Sequence, residues 1–410
     1  MRRTACSFLV IGLLLFALAA ALEAQTSVRV LSYNIHRDIG GSDSNTSSQP
    51  ALAKVVNYLA PDVWAINELG GNNVAFNATT AHNYLVTFIH DNLTIFGPNP
   101  QENVNYFIYI STRSDRFDTV AIVSRYPFAA TSTYSDAGNG FSSLRGLALA
   151  SVSIPGGIKL DVFTAHLKAL NTTTDAEKRQ TEADVDHTNV ANWIAAHHAD
   201  GIAVTGDWNE TEDVGETTNW SGHHIGDILP NPSEPYHPIT TMRSAGLIDP
   251  SPASIAGKHD TISSTTPNAR FDYTMYTNSS FLSGQVFDTK QHTAAQLKAL
   301  NAANGTNFVA SDSASASDHL PVLSIFRVGF TPVVLSVARQ GAQLAITYKI
   351  ILSPNTTHFI EQSTDLKSWL PVQSADQILE QSVDSQTIKS SVPIGNLDRL
   401  FLRVRVNIAP

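Results

Sequence analysis

Short apolar runs with strand character recur along most of this chain. Val28–Tyr33 alternates apolar and polar positions and stops at Asn34, which is typical of a half-buried strand. Comparable runs follow at Val63–Asn67, Thr119–Ser124, Leu147–Ile154, Leu160–His166 and Ile202–Thr205. The sequence therefore predicts a set of strands spread over the chain up to about Phe326.

Helical periodicity separates several of these strands. Apolar residues from Leu52 to Leu59 recur at helical spacing, with Pro50 near the start of the stretch and Pro61 just past its end. Asp175–His198 is polar on one side and apolar on the other, as in an amphipathic helix. This alternation of strands and helices predicts an α/β architecture built in layers.

The pattern changes near Pro332. From there the chain shows only short β-like runs broken by turns: Val333–Val337, Gln343–Ile351, His358–Gln362 and Leu400–Val406. Strands at this spacing predict a small β-sandwich. We therefore expect an α/β domain over residues 25–329 and an all-β domain over residues 330–410.

The first 24 residues have the pattern of a signal peptide. Arg2 and Arg3 precede the apolar run Phe8–Ala21, and Leu22-Glu23-Ala24 offers a small residue before a cleavage site. Cleavage would leave no membrane span, and we expect a secreted or periplasmic protein. The single cysteine, Cys6, lies in this segment, so an intrachain disulfide is excluded.

Composition limits the classes of function. The chain has 410 residues, 42% hydrophobic and 15% charged, which can support large cores. Its 26 Lys and Arg against 36 Asp and Glu give a net charge of −10, which argues against a broad basic surface for nucleic acid. An enzyme that meets phosphate through a bound metal ion is still compatible with this charge. A monomer is expected.

Candidate chemistry is concentrated where apolar strands end. Polar residues at or beside strand ends include Asn34, Glu68, His166, Asp207, Asn209, Asp318 and His319. Strand ends in a layered α/β fold meet at one rim, where ligands usually bind. Carboxylate and amide oxygens without thiolate favour Mg²⁺, with Mn²⁺ or Ca²⁺ as alternatives. Two histidines beside such an ion suit phosphoryl chemistry.

The same motifs resemble a known family. From about Val28 to Arg327 the chain is similar to the endonuclease/exonuclease/phosphatase superfamily, which includes deoxyribonuclease I. The resemblance rests on these stretches: Ser32–His36, Pro61–Glu68, Ala121–Pro127, Thr164–Leu167, Gly206–Asn209, Arg270–Tyr273 and Ser317–Pro321. It implies a four-layer α/β sandwich of two packed mixed sheets. The later stretches Phe359–Leu366, with Trp369, and Phe401–Val404 resemble immunoglobulin- or fibronectin-like modules.

The resemblance also implies roles for individual residues. Asn34 and Glu68 would hold the divalent ion with Asp318 beside it, while Asp207 and Asn209 would position the attacking water and the phosphate. His319 would be a general base or a phosphate contact, with Asp272 fixing its tautomer. His166 would contact the phosphate from the opposite side. Arg145 would be a phosphate-binding arginine.

Two departures from the family pattern matter. Asn67 stands before Glu68 where glutamine is usual, and its shorter side chain should reach less far. Thr119-Val120 replaces a usual Gly-Asn, so the acidic partner of His166 stays unassigned.

The expected activity is metal-dependent phosphodiester hydrolysis, with nucleic acid as substrate. Alternatives are a phospholipid or sphingomyelin phosphodiesterase, a phosphomonoesterase of the same fold, and a secreted binding module without catalysis.

Overall fold

The chain forms two compact units, Ser27–Val328 and one that includes Gly329–Pro410. The computed structural model describes residues 26–135, 145–155, 158–170, 172–197, 199–210, 236–262, 269–328, 333–351, 356–363, 370–381, 385–393 and 401–408. The predicted signal peptide, residues 1–24, lies outside the described residues, and so does Trp369. The domain boundary predicted between residues 329 and 330 stays a prediction for truncation to test.

One mixed sheet is formed by six strands: β1 (Thr26–Asn34), β2 (Val63–Gly70), β3 (Phe107–Ile110), β4 (Asp118–Ser124), β10 (Ser280–Val286) and β11 (Val322–Val328). Their order is β10-β11-β1-β2-β4-β3. β1 and β2 are parallel, whereas β2 and β4 are antiparallel. The end of β2 and the start of β4 therefore lie at the same edge of this sheet.

The second sheet of the unit has five strands: β5 (Phe128–Tyr134), β6 (Leu147–Ile154), β7 (Ile158–His166), β8 (Gly201–Asp207) and β9 (Asp272–Thr277). They follow the order β5-β6-β7-β8-β9. β7 and β8 are parallel, and β8 and β9 are antiparallel. The ends of β7 and β8 and the start of β9 thus share one edge.

The helices lie outside the two packed sheets. They are α1 (Gln49–Leu59), α2 (Ala78–Asn92), α3 (Thr173–Ala196), α4 (Pro238–Arg243), α5 (Ala294–Asn304) and α6 (Asp312–Ala316). Two short 3₁₀ turns, Thr94–Phe96 and Thr289–Gln291, connect elements of the same unit.

Three apolar clusters establish the layers. Between the sheets, Val30 and Val120 share a buried cluster with Ala150 and Val162. Residues of α1, α2 and α5 are buried against the outer face of the first sheet, and residues of α3 and α4 against that of the second. The order helix, sheet, sheet, helix confirms the predicted four-layer α/β sandwich.

Local sequence explains how the long helix α3 starts. Thr172 and Asp175 form a capping box, in which each side chain accepts a hydrogen bond from the backbone N–H of the other residue. This cap begins the helix at Thr173, two residues before the predicted start at Asp175. Ala183 and Val190 are buried against the second sheet, as the amphipathic pattern predicted.

The C-terminal unit is entirely β in its described residues. Its strands are β12 (Val333–Gln340), β13 (Gln343–Ile351), β14 (Thr356–Ser363), β15 (Leu370–Val372), β16 (Ala375–Gln381), β17 (Ser385–Pro393) and β18 (Phe401–Ile408). They form two antiparallel sheets, β12-β13-β17-β16 and β15-β14-β18. Tyr348 and Ile388 of one sheet share a buried cluster with Ile360 of the other. The predicted all-β sandwich is confirmed, while its likeness to immunoglobulin or fibronectin modules stays a prediction.

Among the helices of the described residues, none combines the length and the apolar character that a membrane crossing requires.

Candidate functional site

Strand register brings most of the predicted site residues to one rim of the α/β unit. Asn34 pairs with Asn67 where β1 and β2 run parallel. At the matching edge of the second sheet, His166 pairs with Asp207, and Asp207 pairs with Asp272. Because the two sheets are packed face to face, these rows of polar side chains converge.

The end of β2 has an unusual backbone. Its register against β4 shifts between Ile66 and Leu69, and Glu68 in this bulge has a φ of 59°. Residues other than glycine rarely adopt this left-handed backbone conformation. It costs about 1–3 kcal/mol and often marks a functional position. Next to it, the Asn67 Nδ2 donates to the Ala165 carbonyl oxygen over 2.8 Å. The short amide therefore still reaches the second sheet, contrary to expectation.

Asp207 is the centre of the site. Its Oδ2 accepts a hydrogen bond from Asn34 Nδ2 at 2.9 Å and lies 3.5 Å from His166 Nε2 and 3.6 Å from His319 Nε2. Its Oδ1 accepts the backbone N–H of Asn209 at 2.9 Å. Burial raises the pKa of Asp207 to about 7, although the charge of His319 opposes the shift. One carboxylate thus faces both predicted catalytic histidines.

His319 forms a buried pair with Asp272. Its Nδ1 lies 2.8 Å from Asp272 Oδ2, as the resemblance implied. Burial disfavours the imidazolium, but the Asp272 and Asp207 carboxylates outweigh it and hold the pKa of His319 well above its usual value. The raised pKa favours the protonated imidazolium, which fits the phosphate contact among its two predicted roles.

His166 is in the opposite electrostatic situation. Burial, and then the positive charges of Arg145 and His319, hold its pKa well below the usual value. Its Nε2 lies 3.9 Å from Glu68 Oε1, and its Nδ1 lies 4.0 Å from Asp118 Oδ1. Two histidines with pKa values shifted in opposite directions thus flank one carboxylate, which is an arrangement suited to acid–base chemistry.

Asp118 is the residue that sequence reasoning missed. It is fully buried, and it accepts hydrogen bonds from Arg37 Nε at 2.7 Å and Arg145 Nε at 2.5 Å. Its Oδ1 lies 4.0 Å from His166 Nδ1, which makes no hydrogen bond within the described residues, so Asp118 is a neighbouring carboxylate and the acidic partner of His166 stays unassigned. The missed signal was its position at the start of β4, because an antiparallel strand brings its start to the rim where its neighbour ends.

Three other predicted residues occupy less expected positions. Arg145 is ion-paired with Asp118 and, through Nη2, with Asp115 at 2.6 Å, and only 6% of its side chain is exposed. Asp318 is 55% exposed and lies 3.7 Å from His36. Asn209 donates from Nδ2 to the Leu167 carbonyl oxygen at 3.1 Å, which fixes the loop after β8 against the loop after β7.

Two groups of side chains in the described residues could hold a metal ion. Glu68, His166 and Asp207 form one, and Asp207, Asp272 and His319 form the other, each with its ligand atoms within 4.8 Å of one another. Neither includes Asp318. Asn34 presents its amide nitrogen to Glu68 and Asp207, while its Oδ1 accepts the His36 N–H. If the Asn34 amide group were rotated by 180°, its oxygen would face an ion bound between these carboxylates.

The donor set itself fits a hard divalent ion. Glu68 and Asp207 supply anionic oxygens, and cysteine is absent from the described residues. Burial and then the charge of Asp118 raise the pKa of Glu68, as expected for crowded carboxylates that a cation would stabilise.

The sequence also matches a family model. Residues 31–319 match the endonuclease/exonuclease/phosphatase family, a stretch longer than half of the chain. The chain belongs to this family, whose members are typically phosphoric ester hydrolases. The match spans every site residue described above.

Solved structures show more distant likenesses. An endonuclease/exonuclease/phosphatase from Beutenbergia cavernae DSM 12333 is 15% identical, with 94% of this chain and 93% of that chain covered and a TM-score of 0.46. Truncated TDP2 from Caenorhabditis elegans is 16% identical, with 74% and 98% covered and a TM-score of 0.44. The chain matches no curated protein sequence.

Proposed function

We propose that this protein is an exported, divalent-metal-dependent phosphodiesterase that acts on nucleic acid. The observation that carries the proposal is the position of Asp207, whose Oδ2 lies within 3.6 Å of the Nε2 atoms of both His166 and His319. Membership of the endonuclease/exonuclease/phosphatase family supports hydrolysis of a phosphoric ester as the reaction.

Glu68 is the carboxylate that would hold the ion, with the Asn34 amide beside it. A bound Mg²⁺ would supply positive charge to the phosphate oxygens and so favour attack at phosphorus. Asp318 is exposed and belongs to neither of the two groups that could hold the ion.

The chain's own residues have separate tasks in this proposal. Asp207, oriented by the Asn209 N–H, accepts a proton from the attacking water. His319, held by Asp272, donates a hydrogen bond to a phosphate oxygen where negative charge develops. His166 faces the phosphate from the other side of Asp207 as a neutral imidazole.

Nucleic acid is preferred to a lipid because no apolar hairpin for membrane contact accompanies the motifs in the sequence. The acidic balance of the chain does not favour tight binding to a polyanion, so we expect modest affinity that depends on the metal.

Export is proposed from the first 24 residues alone, which combine a basic start, an apolar run and a small-residue site. Expression of the full chain in a bacterial host, followed by N-terminal sequencing of the exported protein, checks it. A mature N-terminus near residue 25 is expected, and an uncleaved chain retained with the membranes would contradict it.

The substrate is tested with purified protein that lacks residues 1–24. Plasmid DNA, RNA, sphingomyelin and bis-p-nitrophenyl phosphate are incubated in parallel with Mg²⁺, Mn²⁺, Ca²⁺ or EDTA. Metal-dependent cleavage of DNA or RNA together with the small diester is expected. Activity on sphingomyelin alone would reject the nuclease, and inactivity on every substrate would favour a binding module.

A further inference from the structure

Two guanidinium groups lie beside the candidate site, and they differ in what they can still bind. Arg145 donates from Nε to Asp118 and from Nη2 to Asp115, and it is almost fully buried. Two of its three guanidinium nitrogens are thus already paired with carboxylates. Arg145 is therefore better described as part of the buried support for Asp118 than as a phosphate contact.

Arg37 is placed differently. Its Nε donates to Asp118 Oδ2 at 2.7 Å and lies 3.6 Å from Glu68 Oε2, and 25% of its side chain is exposed. Within the described residues, its two terminal nitrogens have no hydrogen-bond partner. The guanidinium thus joins the site through one edge and leaves the fork of its terminal nitrogens available.

The backbone holds Arg37 in this position. His36 and Arg37 have φ values of 47° and 61°, which residues other than glycine rarely adopt. The Arg37 N–H donates to the Glu68 carbonyl oxygen at 3.1 Å, so the loop after β1 is fixed to the bulge in β2. Conformational strain at a fixed loop beside a candidate site is characteristic of a functional residue.

The charges at the site give this guanidinium a task. Glu68, Asp118, Asp207 and Asp272 place four carboxyl groups around the position where an anionic substrate would bind. A guanidinium fork matches two oxygens of one phosphate, and charge-assisted hydrogen bonds of this kind are among the strongest in proteins.

We propose that Arg37, rather than Arg145, is the arginine that contacts a phosphate group of the substrate. The inference rests on the proposed phosphodiesterase function and assigns its phosphate-binding side chain. Either the reacting phosphate or a neighbouring one in a polymer offers the same oxygens.

The experiment compares wild-type protein that lacks residues 1–24 with its variants Arg37→Gln, Arg37→Lys and Arg116→Gln. Arg116 is a matched control, because it is exposed and lies over the same Phe117 ring, at 4.9 Å, as Arg37 does at 6.0 Å. Binding of inorganic phosphate in the presence of Mg²⁺ is measured by calorimetry, and hydrolysis of bis-p-nitrophenyl phosphate is measured separately. Thermal melting reports folding.

Arg37→Gln should weaken phosphate binding by about ten- to a hundredfold, as expected for loss of a charge-assisted pair. Arg37→Lys keeps a positive charge beside Asp118, so it should melt like wild type and still bind phosphate several times less tightly because the fork is lost. Arg116→Gln should match wild type. The KM for bis-p-nitrophenyl phosphate should rise most in Arg37→Gln, less in Arg37→Lys, and not in Arg116→Gln.

The outcomes separate this inference from the proposed function. If wild type hydrolyses the diester but both Arg37 variants bind phosphate as wild type does, the inference is wrong and the function stands. If wild type is inactive yet binds phosphate through Arg37, the function is wrong and the contact stands. Failure of folded wild type to bind millimolar phosphate would overturn the contact.

Discussion

A histidine–aspartate pair is present in each of the two units, and the two pairs have different surroundings. In the α/β unit, His319 and Asp272 lie 2.8 Å apart with 10% and 0% of their side chains exposed. In the β unit, His358 and Asp376 lie 3.0 Å apart with 20% and 33% exposed. The distance between partners is therefore not what distinguishes a candidate site from a surface contact.

What differs is the set of groups around each pair. A third group, the carboxylate of Asp207, approaches His319 and also faces His166. The partners of Asp376 besides His358 are the hydroxyl groups of Ser374 and Ser390, which stabilise its charge. Burial opposes that charge, but these hydrogen bonds outweigh it and the pKa of Asp376 is lowered. The α/β unit thus keeps competing ionisable groups together, which costs stability and is expected at functional sites.

The largest effect should come from substitutions at His319 and at the neighbouring Asp207, and not from breaking the His358–Asp376 pair. His319→Gln and Asp207→Asn should each lower kcat/KM for bis-p-nitrophenyl phosphate by about 10²–10⁴, because a proton-transfer or charge-stabilising group is lost. The matched control, His358→Gln, should stay within twofold of wild type. Circular dichroism should be unchanged in all three. Turnover above half of wild type in a folded His319→Gln would remove that residue from the mechanism.

Glu68→Gln should sharpen the comparison through the metal. An amide is a weaker ligand than a carboxylate for a hard cation, so the Mg²⁺ concentration for half-maximal activity should rise at least tenfold. Mg²⁺ should also raise the Tm of wild type, since it binds the native state, and raise that of the variant much less. The control is Glu380→Gln in the β unit, which should respond as wild type does. A loss of activity that no metal concentration reverses would assign Glu68 another role.

A stability test compares one buried carboxylate in the α/β unit with Asp376. Arg270 makes two hydrogen bonds to Asp249, at 2.7 and 2.8 Å, and the Asp249 side chain is fully buried. Burial opposes ionisation, but the hydrogen bonds and charge of Arg270 outweigh it and lower the pKa of Asp249. Asp249→Asn should cost about 3–5 kcal/mol, since it removes a fully buried carboxylate that makes two hydrogen bonds to the buried Arg270 guanidinium.

The sign of the pH dependence follows from the lowered pKa of Asp249. Its stabilisation is complete above the unfolded pKa, near 3.8, and is lost as the pH falls through the lower folded value. Asp249→Asn should therefore flatten the acid limb of the stability curve in urea unfolding. Asp376→Asn, at an exposed position, should change the free energy of unfolding by about 1 kcal/mol or less. Equal effects of the two substitutions would show that burial does not decide their contributions.

Two strands of the β unit show how an apolar pattern helps to predict a strand from sequence. Gln343–Ile351 was predicted with the bounds that the structure has, because its alternate residues fill the core of the β unit. Ala375–Gln381 was missed, since all its residues are exposed and no core imposes a pattern on them. In the α/β unit, helix Ala78–Asn92 was missed, although Asn77 caps it through a hydrogen bond from the Thr80 N–H.

In the candidate site, local sequence motifs identified individual residues but did not indicate which of them would pair. Sequence motifs marked His166, Asp207, Asp272 and His319, and the structure brings these four together. No motif indicated that Arg145 would be buried between two carboxylates, because its partners lie just before β4 and at its first residue. Motifs identify side chains, whereas charge pairing is settled by which strands become neighbours.

The smallest expected effect is that of removing the β unit. The proposed catalytic and metal-binding residues precede Leu320, and β11 completes the first sheet at Val328. The apolar clusters of the α/β unit are built from residues of that unit, as the cluster around Tyr348 is built from the β unit. A fragment of residues 25–329 should therefore fold alone. It should hydrolyse bis-p-nitrophenyl phosphate at a rate within about twofold of that of the longer protein, since all the proposed site residues lie at the rim of the α/β unit.

A loss of activity on plasmid DNA or on a surface-bound substrate, with the small substrate unaffected, would assign attachment to the β unit. Aggregation of the fragment, or loss of small-substrate turnover while Mg²⁺ still raises its Tm, would show that the units depend on each other and that the boundary is wrong.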